Sequence, residues 1–109
     1  MGIEGGAPKI SLQELLVIMI EKGGSDLHIT TGSPPRMRLH GHLNPMPNYP
    51  SLTPVETKQL GYSVLTDTQK HKFEEENELD FSFGLKGLSR FRGNLFVQRG
   101  ATACVFRTI

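Results

Sequence analysis

The chain has 109 residues, with 37% hydrophobic and 21% charged side chains and a formal net charge of +1. That length supports one small core, since a chain of this size buries roughly two thirds of the surface its unfolded form exposes. The composition excludes an intrinsically disordered chain, and the near-neutral balance excludes a bulk electrostatic pull on nucleic acid or an anionic membrane, so any anion site must be local.

Residues 1–9, MGIEGGAPK, read as a flexible leader, and residues 10–109 as the folded domain. Ser11-Leu12-Gln13-Glu14 is a capping box, in which Ser11 accepts from the third helical N–H and Glu14 reaches back. Leu12, Leu15, Leu16 and Met19 then recur at helical spacing, and Gly23 offers a left-handed stop. Val17, Ile18 and Ile20 add apolar surface beyond one stripe, for which a deep wedge in the core and a face covered by a partner are both open. The apolar run LLVIMI at 15–20 is too short to span a bilayer and is flanked by Glu14 and Glu21. No signal-peptide pattern is present.

SDLHITT at 25–31 alternates, with Leu27 and Ile29 on one face and Asp26, His28 and Thr30 on an exposed one. The prolines of GSPP break that strand. RMRLHGHL at 36–43 reads as a second strand, turned or bulged at Gly41, and NPMPNYPSLTP as a rigid superficial connection. Thr53-Pro54-Val55-Glu56 and Thr66-Asp67-Thr68-Gln69 are two further boxed starts and predict helices over 54–62 and 67–76. Phe73 is the apolar anchor of the second. ELDFSFG then alternates with Leu79, Phe81 and Phe83 inward. The element order is α-β-β-α-α-β-β-β, which predicts an α+β fold with a mainly antiparallel sheet and helices packed on it.

The last segment, LSRFRGNLFVQRGATACVFRTI, reads as two strands joined at Arg99-Gly100. A two-residue turn there opposes residue 98 to 101, 95 to 104 and 92 to 107. Arg92 and Arg107 then stand side by side, with Arg90 and Asn94 on the same face and Phe91, Leu95 and Val97 on the other. Two like charges opposed on a sheet are unfavourable unless something compensates. Taking LKG at 85–87 as a turn brings Asp80 opposite Arg92, an internal ion pair. The alternative is an external anion, which arginine suits because its planar fork donates two parallel hydrogen bonds.

Chemistry of other kinds is missing from the sequence. No phosphate-loop motif, no G-x-S-x-G and no H-E-x-x-H occurs. Cys104 is the single cysteine, which excludes an internal disulfide, and with Val105 and Phe106 beside it reads as a buried thiol. The histidines at 28, 40, 42 and 71 lack zinc-ligand spacing, and Asp26 and His28 have no nucleophile near them in sequence.

GGSDLHITTGSPPRMRLHGHL, followed by LDFSFGLKGLSRFRGNLFVQRGATACVFRTI, closely resembles the N-terminal domain of the type IV pilus retraction ATPases of the secretion ATPase superfamily. The likeness covers about residues 11–109, through SDLH, G-x-P-P-x-x-R, LDFSF and SRFRGN. It implies a PAS-like α+β fold. It implies a hexameric parent ATPase that uses ATP and Mg and powers pilus retraction and twitching motility from the cytoplasmic side of the inner membrane. The implied partners are the C-terminal ATPase domains of the same and adjacent subunits and the inner-membrane pilus platform, with no nucleic acid and no direct membrane insertion. The Walker motifs belong to that C-terminal domain, absent from this chain, so the chain is not expected to hydrolyse ATP or hold a cofactor or metal alone. Matching the motifs residue by residue puts contacts to the ATP phosphates on Arg92 and Arg107 and assigns no role to Arg90. A free-standing PAS-like sensor of a small ligand, or a protein-interaction module, is the alternative reading.

Overall fold

A computed structural model describes residues 10–109; the leader at 1–9 lies outside the described residues. Helix α1 (Leu12–Glu21) starts where Ser11 Oγ accepts from the Glu14 N–H at 3.3 Å. The reciprocal half of that box does not form, because Glu14 instead accepts a 2.7 Å hydrogen bond from Tyr49 Oη. Helices α2 (Pro54–Tyr62) and α3 (Asp67–Glu76) both carry complete boxes, from Thr53 with Glu56 and from Thr66 with Gln69. Their bounds match the sequence expectation. Helix α3 ends on Asn77 in the left-handed conformation, a usual stop when glycine is lacking.

The strands are β1 (Asp26–Ile29), β2 (Arg36–Leu39), β3 (His42–Pro45), β4 (Glu78–Leu85), β5 (Ser89–Gln98) and β6 (Ala101–Thr108). They form one antiparallel sheet in the order β3-β2-β1-β6-β5-β4. The 36–43 segment is thus a hairpin and not one strand. His40 (φ 52°) and Gly41 (φ 80°) are both left-handed, the two-residue turn whose twist suits antiparallel strands. Arg99 (φ 52°) and Gly100 (φ 78°) repeat it between β5 and β6.

One face of the sheet carries the core. Leu27, Ile29, Met37, Phe91, Leu95, Cys104 and Phe106 meet Leu12, Leu15, Leu16 and Met19 of α1 and Leu60 of α2. Ile18 and Ile20 also pack against this core, which takes up much of the surplus apolar surface of α1. The connection between β3 and α2 is anchored rather than superficial. Met46 and Leu52 are buried, and Gly32, Met46 and Leu52 hold backbone hydrogen bonds of 2.8–2.9 Å to Leu52, Pro35 and Ser33.

Cys104 is buried against α2, where burial pushes its thiol up to about 12 from an ordinary 9.0. The folded chain keeps that proton after the unfolded chain has lost it. Its contribution to stability therefore holds below pH 9 and is lost as pH rises toward 12. Iodoacetamide at pH 8.5 is expected to leave the native thiol unmodified and to label it fully in denaturant. Equal labelling rates in both conditions would contradict the buried placement.

Candidate functional site

The opposite face of the sheet is polar. His28 pairs with Arg36 on one side and Val105 on the other, Asp26 pairs with Arg107, and Arg107 pairs with Arg92. Side chains repeat every second residue, so Arg36, Arg38, Asp26, His28, Arg107, Arg90, Arg92, Asn94 and Asp80 share this face. Every arginine except Arg99, which sits in the turn, stands on it. Helices pack on the other side. Arg90, Arg92, Arg107 and Asp80 are exposed.

The hairpin register expected from Arg99-Gly100 is present, with Arg92 directly opposite Arg107. The Asp80–Arg92 pair that a turn at 85–87 would give, one of the two compensations left open, is not. The β4–β5 loop is Lys86-Gly87-Leu88, pivoting on Gly87 at φ 79°, and Leu85 still pairs with Ser89. A loop displaced by one residue moves every cross-strand partner by two, which keeps each side chain on its face and changes whom it meets. Ser82 now opposes Arg92, and Asp80 opposes Asn94, whose Nδ2 donates to Asp80 Oδ1 at 2.7 Å. Arg90 reaches back to Ser82 Oγ at 3.4 Å. Among the described residues the Arg92 side chain makes no hydrogen bond and no ion pair.

Compensation comes from a residue that sequence reasoning placed on an exposed face. Asp26 is 7% exposed, and its Oδ2 stands 3.2 Å from Arg107 Nε. One carboxylate offsets one of two cations, so the opposed arginines retain a net positive charge. His28 Nε2 lies 3.9 Å from the same Oδ2 and is buried without a hydrogen-bond partner. Burial lowers the pKa of His28. Asp26 opposes that shift, while Arg38 and Arg107 add to it, so the ring is neutral at pH 7. A depression of about 370 Å³ opens over these groups, lined by His28, Asp80, Arg92, Asn94, Val105 and Arg107. Its chemistry sets two guanidiniums, one unpaired, beside a neutral imidazole and an amide, with the Asp80 carboxylate engaged by that amide. The unpaired guanidinium is the group that suits an anion.

The other candidates do not converge. His40 is in the β2–β3 turn and His42 follows it at the start of the edge strand. Among the described residues, no three His, Cys, Asp or Glu side chains stand together as a metal cage. No helix of the described residues is long and apolar enough to cross a membrane.

An α+β domain with one helix-covered and one arginine-bearing sheet face is thus in hand. No protein-family model matches the chain. The chain is 38% identical over 100 residues to the type IV pilus ATPase PilU of Pseudomonas aeruginosa, covering 92% of this chain and 26% of that protein. To PilT, the type IV pilus retraction ATPase of the same organism, it is 40% identical over 100 residues, covering 92% of this chain and 29% of that one. The crystal structure of the pilus retraction motor PilT with bound ADP matches with a TM-score of 0.86 at 41% identity, over 92% of this chain and 29% of that chain. The chain is homologous to the N-terminal region of the PilT and PilU type IV pilus ATPases. It spans less than a third of the length of these relatives.

Proposed function

We propose that the chain is the PAS-like N-terminal domain of a hexameric ATPase that powers type IV pilus retraction and twitching motility. In this reading it works at the cytoplasmic side of the inner membrane, against the pilus platform. Its open sheet face meets a nucleotide held by a C-terminal ATPase domain of the same or an adjacent subunit. Arg92 and Arg107 contact the ATP phosphates there and neutralise charge that develops on the transferred phosphoryl group. Mg enters with ATP on the other domain, and this chain alone does not turn ATP over.

The observation that carries the reading is the opposed pair itself, with Arg92 unpartnered among the described residues. Asp26 offsets one of these two opposed charges, and the other is unfavourable without a further anion. The likeness to a motor crystallised with ADP supplies the class of anion. In the full-length protein, Arg92→Ala and Arg107→Ala are each expected to cut ATP turnover by orders of magnitude. Wild-type turnover in both variants would overturn the assignment.

A further inference from the structure

We infer that Asp26 is a positioning residue that sets the pose of Arg107 toward the phosphates; the inference rests on the arginine assignment above. A guanidinium has five N–H donors, one on Nε and four on the terminal nitrogens. Asp26 Oδ2 lies 3.2 Å from Nε, the inner donor. The Asp26 side chain is 10% exposed and that of Arg107 68% exposed. The carboxylate therefore forms an ion pair with the arginine from beneath, on its Nε side, and the exposure of the arginine side chain leaves the outer fork of the guanidinium turned to solvent. That fork is the part that engages an oxyanion with two parallel hydrogen bonds.

The backbone reinforces this geometry. Asp26 and Arg107 are direct cross-strand partners at the β1–β6 seam, so the carboxylate needs no long side chain or mobile loop to reach its arginine. Asp26 has few competing partners. His28 Nε2 is farther away, at 3.9 Å, and its lowered pKa leaves it uncharged at neutral pH. The opposed Arg92 has no equivalent carboxylate. The two arginines are thus unequal: Arg107 is held in one orientation before the nucleotide arrives, and Arg92 adjusts to it. Fixing a charge-stabilising donor in advance removes the reorganisation that would otherwise accompany the reaction.

A double-mutant cycle on the full-length ATPase tests this. Asp26→Asn keeps the shape and removes the charge, and is expected to lower kcat about tenfold. Arg107→Ala is expected to lower it about a hundredfold or more. If Asp26 acts through Arg107, Asp26→Asn has no further effect on kcat in the Arg107→Ala background. Effects that multiply, or a wild-type kcat in Asp26→Asn, overturn the positioning role while leaving the arginine assignment standing. A wild-type kcat in Arg107→Ala overturns the assignment itself. A second measurement covers the case in which Asp26→Asn does not fold. In wild-type protein the Arg107 Nε–H is expected to show a higher NMR order parameter than that of Arg92. Equal order parameters overturn the inference without any variant.

Discussion

Arg92→Ala is expected to lower ATP turnover of the full-length protein about a hundredfold or more, with no loss of stability. The kinetic size follows from what one charged donor contributes at a developing negative charge. The effect is expected mainly on kcat, because an interaction that strengthens in the transition state shows there and not in KM. The unchanged stability follows from the structure. Arg92 is exposed and, among the described residues, unpaired, so truncating it orphans no buried group. It also removes one of two opposed cations, which relieves repulsion across β5 and β6. Arg107→Ala differs in this respect. It strips the partner from the Asp26 carboxylate, whose side chain is 10% exposed, and an uncompensated buried charge destabilises. A thermal melt beside the turnover assay separates the two. Arg92→Ala is expected to melt like wild type and Arg107→Ala below it. An Arg92→Ala protein that loses activity only by melting early would reduce the residue to scaffolding.

Gly93→Val is expected to destabilise the domain by about 2 kcal/mol or more. Gly93 stands on the core face of β5, opposite Phe81, between Arg92 and Asn94 on the polar face. A Cβ built there would sit 2.5 Å from Phe81 Cζ, 2.7 Å from Phe81 Cε1 and 3.1 Å from Phe106 Cε1. None of these rings has an easy escape. Phe81 stacks on Phe83 at 5.7 Å and meets Phe106 edge-on at 6.4 Å, and Phe83 stacks on Phe91 at 5.5 Å. The glycine of SRFRGN is therefore explained by close packing of an aromatic cluster beneath the arginines, with no left-handed backbone involved. For a domain of this size, 2 kcal/mol lowers the melting temperature by roughly 10 °C. An unshifted melt would show that the rings repack freely.

Much of the fold was legible because its signals are local. The Thr53 and Thr66 boxes fixed two helix starts, since an N-cap hydroxyl and its N3 partner act within one turn. Arg99-Gly100 fixed the Arg92–Arg107 pairing, since a two-residue turn determines register over both strands. What escaped was non-local or hung on a single loop residue. His40-Gly41 was a second turn of the same kind but looked like an interruption in one strand, because four-residue strands leave little alternation to read. The Asp80–Arg92 pair failed on the choice between Leu85 and Leu88 as the loop's third residue. Asp26 was placed with solvent because alternation says which residues share a face and not what lies beside them. Its burial comes from β1 inserting between β2 and β6, which joins residues some eighty positions apart. A lone SDLH cannot announce that.

The most direct measurement is a structure of the full-length protein with Mg²⁺ and a non-hydrolysable ATP analogue. In at least one closed subunit interface, the Arg92 and Arg107 guanidiniums are expected within about 3 Å of phosphate oxygens. Nucleotide bound in every subunit with both arginines facing bulk solvent would contradict the phosphate-binding role.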